Sequence, residues 1–131
     1  MNTLKRGFTI IELLFIIVVL LAAGILFFVQ KNNLEVAARD ETRKTAINAM
    51  YYSLEEVFYK TNGYYPRTID EKVLSSVDPA LFTDPEAIKI GDGDSDYRYE
   101  PLNCADDKCK GYSLRTFLEN EDDYVKTNKN K

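Results

Sequence analysis

The sequence predicts an α+β protein in which one long N-terminal helix packs on a small antiparallel β-sheet. Three observations support this fold class. Residues 8–29 form an almost unbroken apolar run, helical periodicity continues to about residue 61, and short segments with the alternation of strands follow residue 97. We therefore divide the chain into a leader (1–7), an apolar helix (8–29), its amphipathic continuation (30–62) and a loop and β-sheet region (63–131).

The apolar run is long enough to cross a membrane. From Phe8 to Val29 only Thr9 and Glu12 are polar, and a helix of these 22 residues spans roughly the 30 Å hydrocarbon core of a bilayer. A secretory signal peptide is the alternative, but it needs a shorter apolar core and a small-residue cleavage site. Lys5 and Arg6 precede the run, so the positive-inside tendency predicts a single-pass inner or cytoplasmic membrane protein with its C-terminal region outside.

The helix is expected to continue beyond the membrane as an amphipathic element that ends at Asn62-Gly63. Its apolar positions recur at steps of three and four: Leu34, Ala37, Ala38, Ile47, Met50, Tyr51, Leu54, Val57 and Phe58. The opposite face carries the charged residues Arg39, Asp40, Arg43, Lys44 and Glu56. We expect the sheet to cover the stripe from Ile47 to Phe58, because a helix and a sheet form one globule only when their apolar faces meet.

The region after the helix predicts loops followed by strands. Prolines punctuate a connector with one helical turn expected around residues 70–75. Strands are expected over residues 97–100 and 112–118, with a third short strand near residues 124–125.

Charge and cysteine content exclude several classes of function. The whole chain has a net charge of −4, and since Lys5 and Arg6 supply all the charge of the first seven residues, the remainder carries 15 basic against 21 acidic residues. Such an acidic balance argues against nucleic acid as the main partner. Outside the cytoplasm Cys104 and Cys109 predict a structural disulfide, since the chain has no histidine to complete a metal site and the spacing is not C-x-x-C.

The sequence gives little support to catalysis or to a cofactor. It has no histidine base, no nucleophile elbow and no phosphate-binding loop, so we expect the protein not to be an enzyme. Asp92, Asp94 and Asp96 imitate the start of a calcium loop, but Tyr97 and Asn103 occupy positions where an EF-hand needs glycine and glutamate. A solvated acidic turn is the favoured interpretation, with a looser calcium site as the alternative.

The N-terminal residues resemble the class III signal of type IV pilins and of the related type II secretion pseudopilins. The resemblance lies in a short basic leader ending in Gly7, followed by Phe8, an apolar run and the acidic Glu12. It implies that a prepilin peptidase cuts between Gly7 and Phe8 and methylates the new amino group of Phe8. The turn after the helix, residues 63–66, also resembles the G-x-Y-P turn of this family. The family's proline near the end of the apolar run is missing here.

The resemblance also offers a role for Glu12, whose charge is costly in a bilayer. Cleavage would leave a positive amine at Phe8, and Glu12 of a neighbouring subunit would pair with it, fixing the axial register of the bundled helices. The alternative is a carboxyl group that snorkels to the interface or is protonated in the bilayer.

The sequence thus predicts a structural subunit that waits in the membrane and polymerises through its N-terminal helix into an extracellular pilus filament. Its expected partners are further copies of itself, the membrane, the prepilin peptidase and the pilus or secretion assembly machinery. A type II secretion pseudopilin is the nearest alternative. A monomeric membrane-anchored binding domain is the alternative from another class.

Overall fold

A computed structural model describes residues 7–130 of the chain. The predicted leader, including Lys5 and Arg6, lies outside the described residues apart from Gly7. The chain divides into two compact units, the first ending at Glu35 and the second beginning at Val36. We call the second unit the head.

One helical segment extends from Ile10 to Asn62 and belongs to both units. It consists of helix α1 (Ile10–Tyr52), a π-helical segment (Ser53–Phe58) and helix α2 (Tyr59–Asn62). Gly63 ends it in the left-handed conformation (φ 76°), and its N–H donates a hydrogen bond to the carbonyl of Tyr59. The predicted single helix is confirmed, whereas its π-helical segment carried no recognisable sequence signal.

In the first unit the apolar side chains of α1 are exposed to the surroundings of the monomer. Ile10, Ile11 and Phe28, for example, are each more than 70% accessible. Within the described residues one helix, the segment beginning at Ile10, is long and apolar enough to cross a membrane by its length and composition, and none of its most apolar window is buried.

The head contains a four-stranded antiparallel sheet. Its strands are β1 (Tyr65–Pro66), β2 (Tyr97–Ala105), β3 (Lys108–Thr116) and β4 (Tyr124–Thr127). β3 is the central strand, with β2 on one side and both β1 and β4 on the other. The three predicted strands are present. β2 and β3 are longer than predicted and form a hairpin that includes Cys104 and Cys109. The two-residue β1 was not predicted.

The head core lies between the second half of the helical segment and the sheet. Ile47, Met50 and Leu54 of the helical segment are fully buried in one cluster with Tyr112 and Leu114 of β3. This confirms that the sheet covers the predicted apolar stripe. Leu34 and Val57, which share the same periodicity, are exposed, because the core reaches neither of them.

The connector between β1 and β2 also contributes to this core. The predicted turn near residues 70–75 begins at Asp70, whose Oδ1 accepts hydrogen bonds from the N–H groups of Lys72 and Val73, both at 2.8 Å. A short 3₁₀ helix follows at Pro79–Phe82, and Phe82 is fully buried. The connector is therefore packed against the core through its own apolar residues.

A side chain closes the gap between β1 and β4 along the edge of β3. Asn128 Oδ1 accepts a hydrogen bond from the N–H of Tyr112 at 3.1 Å, where neither β1 nor β4 pairs with β3. A Cβ atom on the neighbouring Gly111 would lie only 2.7 Å from the same oxygen. Glycine at 111 thus allows the C-terminal residues to pack closely on the sheet.

Candidate functional site

The residues predicted for processing and assembly lie together at the beginning of the first unit. Gly7, Phe8, Thr9 and Glu12 line one concave surface of about 510 Å³. Gly7 and Phe8 precede the helix, which begins at Ile10, so the predicted scissile bond lies in non-helical backbone. Phe8 and Glu12 are both exposed, and both are therefore open to a neighbouring chain.

Thr9 positions Glu12 at the start of the helix. The carbonyl of Thr9 accepts hydrogen bonds from the N–H groups of Glu12 (3.0 Å) and Leu13 (3.1 Å), and its hydroxyl contacts the N–H of Glu12 at 3.4 Å. Thr9 is thus the N-cap residue and Glu12 is the third helical residue, the arrangement of a capping box. The T-x-x-E pattern in the sequence was sufficient to predict this cap, which the sequence analysis missed.

The cap leaves the carboxylate of Glu12 in a suitable place for an added positive charge. The N-terminus of a helix favours a negative side chain in its first turn, and Glu12 is the acidic residue there. If the chain is cut between Gly7 and Phe8, the new amine lies only one residue before the cap. Glu12 is then available to an amine at the same helix end of its own chain or of a neighbour.

The predicted disulfide is present in the head. Cys104 of β2 and Cys109 of β3 are directly opposite partners in the ladder, and their sulfur atoms are bonded. The bond closes the β2–β3 hairpin, whose turn is Asp106-Asp107. Cys109 is buried and Cys104 is half-buried, so the disulfide joins the hairpin to the core.

The structure does not gather the three calcium candidates around one point. The carboxylate of Asp96 accepts a hydrogen bond from Arg43 Nε at 2.8 Å, while Asp92 and Asp94 lie on an exposed turn. Residues 7–130 contain no group of three or more His, Cys, Asp or Glu side chains able to hold a metal ion. Asp96 therefore belongs to an ion-pair network with Arg43.

That network is centred on a buried arginine, which corrects one sequence expectation. Arg43 and Asp40 were assigned to the solvent-facing side of the helix, but they are only 2% and 3% exposed. Arg43 donates to Asp40 (2.9 Å), Asp96 (2.8 Å) and Glu119 (2.8 Å). Burial opposes its charge, but the bonds to Glu119 and Asp96 outweigh burial and raise the pKa of Arg43. Arg43 thereby ties the helix to two loops.

A second polar cluster, which the sequence also did not predict, surrounds Glu55 in the π-helical segment. This buried carboxylate accepts hydrogen bonds from the hydroxyls of Tyr112 (2.8 Å) and Tyr65 (3.0 Å) and from the N–H of Lys129 (3.2 Å). Burial, reinforced by Glu55, raises the pKa of Tyr112 well above its usual range. Glu55 thus joins the helix, the sheet and the C-terminal residues.

Comparison with known proteins returns no match, since no family model, no curated protein and no solved structure matches this chain. The functional proposals therefore depend on the residues of this chain.

Proposed function

We propose that this protein is the structural subunit of a type IV pilus-like filament. A prepilin peptidase would remove residues 1–7, the processed chain would be stored in the membrane, and it would then polymerise through its N-terminal helix. The observation that carries the proposal is the exposed apolar surface of the first unit, together with the separate core of the head. Apolar surface of that size needs lipid in one state and further helices in another.

Glu12 favours polymerisation over a simple membrane tether. A tether needs only an apolar helix, and a carboxylate near its start makes insertion more costly. In a bundle of processed chains the same carboxylate would meet the amine of Phe8, so that each charge gains a partner where water is excluded. The capped helix start supports this role, because it presents Glu12 beside the predicted cleavage position.

A type II secretion pseudopilin is the second candidate. It would use the same N-terminal residues and the same helix, so the observations that favour a filament favour both proteins equally.

Mass spectrometry of the chain isolated from its native membrane tests the proposal. We expect a mature chain that begins at Phe8 and carries one added methyl group on its amine, with Cys104 and Cys109 still joined. Replacing Gly7 with a bulky residue should block the cut, whereas a substitution at Gly24, within the apolar run, should leave it unchanged. A chain that retains Met1, or one cut after Gly24, would contradict the proposed processing.

A further inference from the structure

A groove lies at the end of the head where the helical segment stops. It has a volume of about 360 Å³, and its lining includes Tyr59, Tyr64, Lys108 and Lys110. None of its lining residues, all from the described part of the chain, is acidic. We call it the hairpin groove, because the β2–β3 hairpin forms one of its walls.

The two lysines of the hairpin groove have no carboxylate partners. Lys108 Nζ lies 5.2 Å from the centre of the Tyr64 ring, a cation–π contact, and Lys110 is exposed. Within residues 7–130 neither lysine forms an ion pair. They stand two residues apart on β3, so both side chains project from the same face of the strand. The lining of the groove is therefore positive, although the exposed Asp106 and Asp107 of the hairpin turn directly precede Lys108.

The other end of the head carries unpaired negative charge. Asp92 and Asp94 are exposed on a turn whose backbone carbonyls, of Asp92 and Gly93, accept hydrogen bonds from Arg98. Among the described residues neither of the two carboxylates forms an ion pair. We call residues 92–94 the acidic turn. The buried Arg43 holds this turn in place, because it binds Asp96, two residues after the turn.

The groove and the turn cannot neutralise each other within one molecule. The turn is held near Arg43, whereas the groove begins at Tyr59 and lies beyond the end of the helix. The 16 residues between Arg43 and Tyr59 correspond to roughly 24 Å along a helix. Salt bridges need atoms within about 4 Å, so the two sites are separated by far more than one ion-pair distance.

We propose that the hairpin groove of one head binds the acidic turn of a second copy of this chain. Two unpaired lysines would meet two unpaired carboxylates, in equal numbers on every subunit. The contact joins different surfaces of the two copies, and a head-to-tail contact of this kind forms an open filament when its rotation does not close into a ring. This inference rests on the proposed function and adds a contact between heads to the contacts between helices.

The second copy explains the observations better than a nucleic acid does. Binding to nucleic acid needs an extended basic surface that displaces many counterions, whereas this groove offers two lysines on a chain with a net charge of −4. The matching charges of the acidic turn have no purpose in that alternative. If the groove bound an external anion instead, substitutions in the acidic turn would not affect that binding.

A charge swap in the full chain tests the proposal. Lys108→Glu/Lys110→Glu reverses the groove, and Asp92→Lys/Asp94→Lys reverses the turn. We expect each reversal alone to lower the yield of sheared filaments about tenfold, since like charges would then face each other across the contact. The two reversals combined restore opposite charges and the original net charge, and we expect them to recover most of the yield.

Lys72→Glu is the matched control, because Lys72 is an exposed lysine outside the groove with no ion pair among the described residues. Its filament yield should stay near that of the unmodified chain. The membrane pool of each variant, with Cys104 and Cys109 joined, shows that the head has folded. A combined variant that yields no more filaments than either reversal would overturn the contact between heads, as would a loss confined to the groove reversal. If the unmodified chain itself forms no filaments, the proposed function is overturned, and the contact between heads with it.

Discussion

Arg43 and Glu119 are 76 residues apart in the sequence, yet Arg43 Nη1 lies 2.8 Å from Glu119 Oε1. The backbone N–H of Glu119 also donates to Asp40, and Arg39 forms two hydrogen bonds to the Glu119 carboxylate. A single loop residue therefore fixes the loop between β3 and β4 to the helix through four side-chain and backbone contacts. This arrangement makes the charged cluster, and not only the apolar core, responsible for holding the head together.

Removing the central arginine should destabilise the head severely. Arg43→Met keeps the length of the side chain but leaves buried Asp40 and its neighbour Asp96 without their cation, while Glu119 keeps Arg39. Breaking one side of a buried ion pair costs about 3–5 kcal/mol, and we expect a loss of that size in the free energy of unfolding. Lys72→Met, at an exposed lysine, should change it by about 0.5 kcal/mol or less. Urea unfolding of the purified chain measures both, and equal values for the two variants would contradict this role of Arg43.

The same cluster should make the head sensitive to acid. Hydrogen bonds from Arg39 and then Arg43 lower the pKa of Glu119 from 4.5 to about 2. The carboxylate is thus favoured in the folded state, so its contribution is complete above about pH 4.5 and is lost as the pH falls toward 2. We expect Glu119→Gln to flatten this part of the curve of stability against pH. Denaturant titrations from pH 2 to pH 6 measure it, and an unchanged slope would argue against the pairing.

A further prediction concerns the buried polar cluster around Glu55. Tyr112→Phe removes the hydroxyl that donates to Glu55 Oε1 and leaves the ring in the core. Hydrogen bonds to charged groups contribute about 1.5–3 kcal/mol, so we expect a loss in that range. Tyr52→Phe removes the hydroxyl of an exposed tyrosine and should cost about 0.5 kcal/mol or less. Thermal unfolding followed by circular dichroism compares the two, and a neutral Tyr112→Phe would count against the cluster.

The close contact at Gly111 should be detectable by a double-mutant cycle. Gly111→Ala places a Cβ atom only 2.7 Å from Asn128 Oδ1, so Asn128 must move and we expect its bond to the N–H of Tyr112 to be lost. We expect faster hydrogen exchange at the amide of Lys129, which is bonded to Glu55. In an Asn128→Ala background the same glycine substitution should cost much less. If Gly111→Ala lowers the free energy of unfolding equally in both backgrounds, the Asn128 side chain is not what restricts position 111 to glycine. Gly93→Ala, which has open space around it, is the control.

The periodic features of the fold were predictable from the sequence, and its buried charges were not. The steps of three and four through Ile47, Met50 and Leu54 predicted the helix and its covered face, and the alternation around Tyr97 and Tyr112 predicted strands. Arg43 lies four residues before Ile47 and therefore shares its helical face, but its charge led us to assign it to solvent. Its partners Asp96 and Glu119 lie 53 and 76 residues away. The burial of Arg43 depends on tertiary contacts that local pattern does not contain.

The N-terminal site was predictable as a set of residues but not in its geometry. Gly7, Phe8 and Glu12 were identified from the pattern of charge, glycine and apolar sequence. The T-x-x-E spacing also indicates that Thr9 caps the helix. We did not predict this cap, because we interpreted Glu12 only as an assembly residue. The acidic turn was visible in the sequence, but the hairpin groove appears only when the chain is folded, since Lys108, Tyr59 and Asn130 come from distant parts of it.

Glu12→Gln separates helix capping from charge pairing, because glutamine also serves at the third position of a capping box. The variant keeps the helix start and removes only the charge that would meet the amine of Phe8. Glu35→Gln, at the other glutamate of the first unit, is the matched control, since Glu35 pairs with Lys31 at the helix surface. Leader cleavage and the membrane pool should be normal in both variants.

The most direct measurement of the central claim is the yield of sheared filaments from a strain that expresses only Glu12→Gln, compared with its membrane pool. We predict that filaments are lost or strongly reduced while the processed chain accumulates in the membrane, and that Glu35→Gln assembles normally. A normal filament yield from Glu12→Gln would contradict the claim that a charge pair between Glu12 and the Phe8 amine directs assembly.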